Sequence, residues 1–410
     1  MNKKTKIKRH YSIYKTTSPW KRGLKISLFV LGLLVLGFVG YSVYAPVMDF
    51  ISGESESSVS SVSLSSEEVS QSSSSSSSET SVSSSYESSG IAVSTALEQC
   101  FAAPLTQDIA KEPASLSSYL SLLSQKGYTA VVFEAKDQEG ILHYQSASGT
   151  ARSSGAIADD AVDLAAVARE CRVKGISLYT LMYAFEDHYA GLADPSMAIK
   201  YSGDEGVYWL DDYAENGGKT WLNPFSSSAQ TYISQLMEEM LDAGASAVIL
   251  DGFYFPTVAG SETAYYGAGT PDKPGILRQL LSSFTSVAES KGGAVCLRIP
   301  ALAAAGLNME AYGGVNPLAF GEEYALLDLR LSGVPSFTLK GTTVPIPSQN
   351  PEQSLQLLLA AAKSAAGEGV ILIGLLDGGL SVAETQLQVQ RDILLQNGIT
   401  GILVKDAPVE

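Results

Sequence analysis

Cysteine and histidine are scarce in this sequence, whose 410 residues contain three of each. Cys100, Cys171 and Cys296 are too few and too widely spaced for a disulfide framework or a cysteine-based zinc site. Beyond the N-terminal region the histidines are His143 and His188, which do not stand at zinc-ligand spacing and leave few places for a Ser/His/Asp triad. We therefore expect neither a metal site nor a cofactor, and a zinc hydrolase is disfavoured.

Acidic residues are absent from the first 48 positions, which hold nine of the 27 lysines and arginines. The rest of the chain carries the other 18 bases against all 43 acids, a net charge of about −25. Because such a charge repels polyphosphate, the sequence argues against nucleic-acid binding.

An uncharged apolar run, "ISLFVLGLLVLGFVGYSVYA", covers residues 26–45. Its length matches the ~20 residues that cross a bilayer as a helix. The bases before it predict a cytoplasmic N-terminus and an extracytoplasmic location for everything that follows. A cleaved signal peptide ending at "VYA" is the alternative, but the apolar run exceeds the ~7–15 residues of a signal sequence. We expect an uncleaved transmembrane helix at 26–45 in the cell membrane, after a basic cytoplasmic segment at 1–25.

Serine dominates residues 52–89, with scattered glutamate and almost no apolar side chains that could form a core. This composition predicts a disordered tether, and we assign residues 46–114 to an extracytoplasmic Ser-rich linker. As a flexible coil the serine-rich stretch would span roughly 35 Å. A tether of this kind indicates a domain that works away from the membrane, in a cell wall or on a surface polymer; the alternative is a spacer with no further role.

Strand and helix patterns alternate through residues 115–410, which we assign to one domain. The clear strands are predicted at 129–135, 176–185, 245–250, 294–299, 324–331, 369–376 and 400–404, and the helices at 159–175, 226–244, 275–291, 351–366 and 381–397. This alternation is typical of a parallel α/β domain. Seven clear strands without a glycine-rich phosphate-binding motif favour a (β/α)8 TIM-like barrel over a dinucleotide-binding sheet. The best candidate for the eighth strand is "PSFTLK" at 335–340.

Polar side chains stand where these strands end. The stretch "ASAVILDGFYFP" places Asp251 after one strand, and the other strands are followed by Glu134, Lys136, Asp137, Glu186, Asp187, Arg298, Asp328, Arg330, Asp377, Lys405 and Asp406. In a parallel barrel these ends gather on one face. Carboxylates placed there suit glycoside hydrolysis, in which one acid protonates the leaving oxygen and a second attacks the sugar or activates water. For any single residue the alternative is an ion pair or a turn cap.

A long connection, residues 190–225, contains Trp209 and Trp221. Long loops in compact domains are usually functional, and Trp faces suit stacking on sugars, with Asn223 nearby to bind hydroxyls. The alternative is that both tryptophans pack the loop onto the barrel.

Three motifs in the domain resemble a family of glycoside-hydrolase-like domains with an alpha-amylase-like TIM barrel. "VVFEAKDQEG" at 131–140 looks like the family's opening strand, which usually reads Asp-x-Lys-Asp; "YWLDD" and "WLNP" look like its Trp-bearing loop; and "ILDGFYFP" looks like its Asp-Tyr-x-Arg-Phe-Pro signature. The likeness is good from about residue 115 to 256 and holds only in outline beyond. It implies roles for Lys136, Asp137, Asp187, Trp209, Trp221, Asn223 and Asp251.

The sequence departs from the family pattern at several positions. Glu134 stands where the family has Asp, and Gly252 and Tyr254 replace the Tyr and Arg of the signature, which removes a cation beside the signature carboxylate. The next strand, "CLRIPA", offers Arg298 where amylase-like enzymes carry a catalytic Glu. A barrel without that acid could bind glycans without cutting them.

We predict a membrane-anchored extracytoplasmic glycosidase acting on a cell-wall or surface polysaccharide. Asp251 is the predicted nucleophile or general base, Glu134 the general acid and Asp187 a supporting carboxylate. The predicted substrate-binding residues are Lys136, Asp137, Trp209, Trp221, Asn223, Tyr254, Arg298, Asp328 and Asp377. The alternatives are a non-catalytic glycan-binding module in cell-envelope assembly and, more weakly, an interaction scaffold for other membrane proteins.

Overall fold

The computed structural model describes residues 97–269, 271–331, 334–345, 352–377 and 384–405. The predicted cytoplasmic segment 1–25, the predicted membrane helix 26–45 and the serine-rich stretch 52–89 lie outside these residues, as does Asp406. Among the helices that the structure describes, none is both long enough and apolar enough to cross a membrane.

Eight parallel strands close into a barrel, as the sequence predicts. Each strand pairs with its neighbours in chain order, and the last strand pairs with the first. They are β1 (Phe101–Leu105), β2 (Ala130–Lys136), β3 (Ser177–Tyr183), β4 (Ala247–Asp251), β5 (Ala294–Pro300), β6 (Tyr324–Asp328), β7 (Ile371–Leu376) and β8 (Gly401–Val404). The predicted (β/α)8 TIM-like barrel is confirmed.

Helices follow most of the strands. The longer ones are α1 (Pro113–Gln125), α2 (Leu164–Val173), α3 (Ser227–Asp242), α4 (Lys273–Ser290), α5 (Glu352–Ala365) and α6 (Glu384–Gln396). Shorter helices span Gln107–Ala110, Gly149–Ser154, His188–Ala193 and Ala301–Ala304, and 3-10 turns span Ala214–Asn216, Ser261–Thr263, Glu310–Tyr312 and Pro317–Ala319. Side-chain caps begin three of the longer helices, since Asp163, Ser226 and Asp272 each accept a hydrogen bond from the backbone N–H three residues later.

The prediction for the eighth strand is wrong. The stretch at 335–340 forms an antiparallel pair outside the barrel, Ser336–Leu339 with Thr342–Pro345. The missing barrel strand is β1, which pairs with β2 and β8, so the barrel begins before the predicted boundary at residue 115. The strand "FAAPL" has only five residues, none of which is β-branched, so it carries little of the pattern that predicts a strand. It also contains Pro104, a residue type that argues against a central strand.

Apolar side chains fill both faces of the strands. Ala247 and Ile249 of β4 belong to one buried cluster with Tyr179 and Tyr324, whereas the alternate residues Val248 and Leu250 belong to the cluster that includes the helices. The first cluster lies inside the barrel and also holds Cys100 and Cys296, while Cys171 lies on α2. All three cysteines are free and buried, as expected of small apolar side chains.

Additional strands surround the end of the barrel at which β2 and β4 terminate. Leu142–Tyr144 pairs with the last residue of β2 and with Ile157–Val162, and Lys200–Tyr201 pairs with both Asp204–Tyr208 and Ala264–Tyr265. The register between β2 and β3 shifts between Glu134 and Lys136. Such a bulge re-aims side chains at a barrel rim, and it places Lys136 in the interior while Glu134 remains exposed.

Candidate active site

Asp251 and Arg298 form the centre of the site. Strand alternation puts Asp251 on the same face of β4 as Ile249, directed into the barrel, and it is 8% exposed. Its Oδ1 accepts a hydrogen bond from the backbone N–H of Gly252 at 2.8 Å, and its Oδ2 accepts one from the Arg298 guanidinium on β5. A cation therefore lies beside this carboxylate although the Arg of the family signature is absent, because Arg298 on the neighbouring strand supplies the charge.

Arg298 also joins Asp251 to a second ion pair. Its Nη2 donates to Asp328 Oδ2 at 2.7 Å, and Arg330 donates to both oxygens of the same carboxylate at 2.7 Å each. Burial alone would raise the pKa of Asp328, but the hydrogen bonds and charges of the two arginines lower it overall. Burial likewise opposes the charge on Arg298, and Asp251 and Asp328 together hold its pKa above the ordinary value.

Gly252 explains one departure from the family signature. Its φ of +59° lies in the left-handed region, and a Cβ there would stand 3.2 Å from Tyr183 and 3.5 Å from the Glu186 carboxylate. A side chain at this position would be strained and crowded. Glycine therefore lets Tyr183 and Glu186 approach the end of β4.

Glu134 is the carboxylate most open to solvent in the site. It lies on β2 at the register shift, and its side chain lines the barrel cavity. The barrel wall removes part of its hydration, and this effect, reinforced by the negative charges of Asp137 and Asp251, raises its pKa although His143 and Lys405 oppose the shift. A carboxyl group with a raised pKa that faces a cavity is suited to donate a proton.

His143 and Asp137 form a pair next to Glu134. Asp137 Oδ1 accepts the backbone N–H groups of Glu139 and Ile141 at 2.9 Å each, and its Oδ2 lies 3.4 Å from Nε2 of His143. Burial would raise the pKa of Asp137, but His143 and these backbone donors lower it; Asp137 in turn raises the pKa of His143. Asp137, predicted to bind substrate, thus orders its own turn and orients a histidine.

A cavity of about 420 Å³ opens between these strand ends. Its polar lining consists of Thr106, Gln107, Glu134, His143, Tyr183, Arg298, Arg330 and Lys405, set among apolar strand residues such as Leu181, Leu326 and Leu403. Small-molecule sites typically combine an apolar wall with a few polar groups in this way.

Asp377, which follows β7, acts on the site through its charge. The pKa of Arg330 is raised mainly by the hydrogen bonds to Asp328, and the negative charge of Asp377 adds to this effect.

Glu186 and Tyr254 make a second carboxylate arrangement beside Asp251. The Tyr254 hydroxyl donates to Glu186 Oε1 at 2.8 Å. Burial raises the pKa of Glu186, the hydrogen bond from Tyr254 opposes this, and the charge of Asp251 adds to it. Tyr254 is a predicted substrate-binding residue, but its hydroxyl binds Glu186, which stands at a strand end and was not among the predicted catalytic residues.

Asp187 and Lys136 do not reach the cavity. Both side chains are fully enclosed, their charged groups lie 3.1 Å apart, and Lys136 also donates to the carbonyls of Tyr183 and Glu186. Asp187 Oδ1 caps the helix His188–Ala193 through the N–H of Ala190. The structure thus corrects the predicted supporting role of Asp187 and the substrate-binding role of Lys136, because neither group is accessible to a sugar.

Trp209, Trp221 and Asn223 hold the long loop to the barrel. The tryptophans are 3% and 7% exposed, and their indole N–H groups donate to Gly260 O and Asp211 Oδ2. The Asn223 side chain donates to Tyr266 O and accepts from the N–H of Phe225. Packing, the alternative left open by the sequence, is therefore what the structure shows, and no indole face is free to stack on a sugar.

Four residues that line the cavity were given no catalytic or substrate-binding role from the sequence: His143, Tyr183, Arg330 and Lys405. Arg330 and Lys405 were recognised only as strand-end polar residues, and His143 and Tyr183 were not recognised as part of the site. Within the described residues, no group of three or more His, Cys, Asp or Glu side chains could hold a metal ion.

Comparison with known families identifies the region that carries this site. Residues 103–291 match the model of a family described as "Putative glycosyl hydrolase domain", just under half of the chain. The match begins in β1 and ends just after α4, so it includes Glu134, Glu186 and Asp251. The resemblance drawn from the sequence motifs is confirmed. No curated protein matches the chain.

Solved structures share the barrel at low sequence identity. The glycoside hydrolase domain of PgaB (BpsB) from Bordetella bronchiseptica is 14% identical, with a TM-score of 0.52 over 74% of this chain and 93% of that one. The catalytic domain of a beta-amylase from Paenibacillus polymyxa is 12% identical, with a TM-score of 0.47 over 76% and 93%. At these identities the likeness concerns the fold alone.

Proposed function

We propose that the barrel is a glycoside hydrolase in which Glu134 acts as general acid and Asp251 as nucleophile or general base. The observation that carries the proposal is the contrast between these two carboxylates. Glu134 faces the cavity with a raised pKa, whereas Asp251 is held by a guanidinium and a backbone N–H. Two carboxyl groups in different environments are what divides the acid and base roles in glycosidases.

In the proposed reaction each of the two carboxyl groups has its own step. Glu134 donates its proton to the glycosidic oxygen as the bond from that oxygen to the anomeric carbon breaks. The anomeric carbon then receives either an oxygen of Asp251 or the oxygen of a water whose proton passes to Asp251. In the first case a water that gives its proton to Glu134 then displaces Asp251 from the anomeric carbon, which releases the sugar and regenerates both carboxyl groups. Arg298 orients the Asp251 carboxylate through one hydrogen bond, and Asp328 holds Arg298 in place from the other side.

The substrate class proposed is a cell-wall or surface polysaccharide. The support is in the N-terminal sequence: a basic segment, an apolar run at 26–45 and a serine-rich tether would hold the barrel outside the membrane. Protease added to intact cells should then release the barrel and leave the N-terminal stub in the membrane. Protection of residues 52–89 from the protease would reverse the proposed orientation, and release of soluble protein without protease would favour a cleaved signal peptide.

A non-catalytic glycan-binding module is the second candidate. One observation in its favour is that both carboxylate oxygens of Asp251 already accept hydrogen bonds from the protein. The other is that Arg298 stands at the position where amylase-like enzymes carry a catalytic Glu. A carboxylate engaged in this way is a weaker nucleophile than a free one.

Hydrolysis of a panel of cell-wall and surface glycans tests the two candidates. An enzyme should release reducing ends from at least one glycan, and Asp251→Asn should abolish turnover while glycan binding persists. Binding without cleavage by the wild-type protein would transfer the proposal to the binding module. Cleavage unchanged in Asp251→Asn would remove Asp251 from the catalytic role.

A further inference from the structure

A second cleft lies next to the candidate active site. It has a volume of about 550 Å³ and is formed by the segments that follow β4 and β5, with Pro256, Thr257 and Ser261 on one side and Asn308 and Glu310 on the other. Pro256 stands five positions after Asp251, so the two lie within roughly 18 Å of each other. An oligosaccharide bound at the strand ends could therefore extend into this cleft.

The walls of the cleft are tied together. The backbone N–H of Phe255 donates to Ala311 O at 2.9 Å, which joins the segment after β4 to the segment after β5. Gly313, with φ of +71°, packs where a Cβ would lie 2.6 Å from the Pro274 ring, so the second segment also rests on the start of α4. These contacts form the cleft without a ligand.

Among the described residues that line the cleft, Lys273 is the one with a positive charge. Its Nζ lies 4.9 Å from the ring centroid of Phe255 and 5.1 Å from that of Tyr266, and these two rings pack edge to face at 5.1 Å. Cation–π contacts with two rings restrict the position of the ammonium group. The charge is thus held at the cleft wall by aromatic rings.

Lys273 makes no ion pair within the residues that the structure describes, and burial lowers its pKa. Lys291, at the other end of α4, by contrast binds Asp242 at 2.8 Å, and Lys136 pairs with Asp187. An ammonium group held in a cleft without an ion-pair partner is available to bind a negatively charged ligand.

We propose that this cleft is a subsite for a sugar residue that carries an anionic substituent, with Lys273 binding the anion. The hydroxyls of Thr257 and Ser261 and the amide of Asn308 supply hydrogen bonds to the same residue, and Glu310 accepts from sugar hydroxyls. The inference rests on the proposed function, because it assumes that a glycan occupies the neighbouring strand ends. An ammonium group is a point charge that binds carboxylate and phosphate alike, so the common chemistry is the anion.

Binding measured by calorimetry tests the subsite without requiring turnover. The probes are an oligosaccharide with one uronic acid residue, the same oligosaccharide with that carboxyl reduced to a neutral hydroxymethyl group, and one with a phosphate ester at the corresponding position. We expect the Asp251→Asn protein to bind an anionic probe about fivefold or more tighter than the neutral one, and added salt to reduce the difference. Preference for the uronate or for the phosphate ester identifies the source of the anion.

Lys273→Met and Lys273→Gln, each made in the Asp251→Asn protein, should abolish the preference and leave affinity for the neutral probe unchanged. Lys291→Met, at the residue that follows the other end of α4, is the matched control and should retain the preference. Equal affinity for the three probes, or a preference that survives both Lys273 substitutions, would overturn the proposal. The second result would assign the preference to the cations of the strand-end cavity. Failure of the wild-type protein to cleave any glycan would contradict the proposed function but not the subsite, because binding is measured independently of cleavage.

Discussion

The guanidinium of Arg298 donates to the carboxylate of Asp251 across two neighbouring strands of the barrel. The acid that the sequence marks as catalytic is therefore held by a cation that the signature motif itself does not contain. The same guanidinium binds Asp328, which Arg330 also holds. The orientation of Asp251 therefore depends on a series of ion pairs that crosses from β4 to β5 and on to the end of β6.

Removal of Arg298 should be costly to the fold. Arg298→Met leaves Asp251 without its cation and Asp328 with one arginine, and an uncompensated buried charge typically costs ~3–5 kcal/mol. We expect a decrease of that order in the free energy of unfolding, measured in urea. Adding Asp251→Asn to Arg298→Met should restore part of the loss. Lys291→Met, which breaks the exposed pair with Asp242, should have a much smaller effect; a comparable effect would contradict the prediction.

Trp209 tests whether the long loop packs or binds. Because its ring is 3% exposed, Trp209→Ala should lower the free energy of unfolding by the ~3–5 kcal/mol typical of large truncations, while glycan affinity of the folded protein stays within twofold. Tyr213→Ala, which removes an aromatic ring that is 63% exposed on the same loop, should change stability by no more than ~0.5 kcal/mol. Selective loss of glycan binding in Trp209→Ala with unchanged stability would restore the stacking hypothesis.

The barrel could be predicted from the sequence wherever the apolar pattern of a strand or helix is strong, whereas the site could be predicted only in part. Buried strands such as β4 and their polar ends are readable because side-chain period and chain order determine them. β1 is five residues long and contains Pro104, so closure of the barrel became visible only through its pairing. The partners of Asp251 and Tyr254 lie on other strands, and long-range pairing of this kind is not encoded in local spacing. The tryptophan motif was recognisable, but whether a ring faces solvent is settled by packing.

The pair of His143 and Asp137 should make stability depend on pH. The folded-state pKa of His143 is raised, so its contribution is fully present below the unfolded pKa of ~6.5 and is lost as pH rises through the folded value. The pKa of Asp137 is lowered, so its contribution is lost only in acid. Asp137, Glu134 and Asp160 favour the charged imidazole, and partial burial opposes it.

His143→Gln should therefore destabilise the protein more at about pH 5.5 than at about pH 8.5, measured by urea unfolding at both values. His188→Gln is the control, because its ring accepts a backbone N–H from Thr220 and makes no carboxylate pair within the described residues. A loss that is equal at the two pH values would show that His143 contributes by packing rather than by charge.

The proposed role of Glu134 as general acid can be tested by comparing substrates with different leaving groups. Its raised pKa keeps the carboxyl protonated to higher pH than an ordinary glutamate, so kcat/KM should fall as pH rises through that pKa. Glu134→Gln should lower turnover of a natural glycan by roughly 10²–10⁴-fold, the usual contribution of acid catalysis. An aryl glycoside with a 4-nitrophenolate leaving group needs little protonation, so its kcat/KM should fall far less in the same variant.

Asp251→Asn should lower turnover of both substrates alike, because the attack on the anomeric carbon is needed whichever group leaves. The difference between the two substrates therefore separates the acid from the nucleophile or base without a structure of the complex. Glu186→Gln completes the comparison, since burial also raises the pKa of Glu186 and Asp251 lies nearby. If the leaving-group dependence appears in Glu186→Gln and not in Glu134→Gln, the acid is Glu186, and Tyr254, which donates to it, becomes its positioning residue.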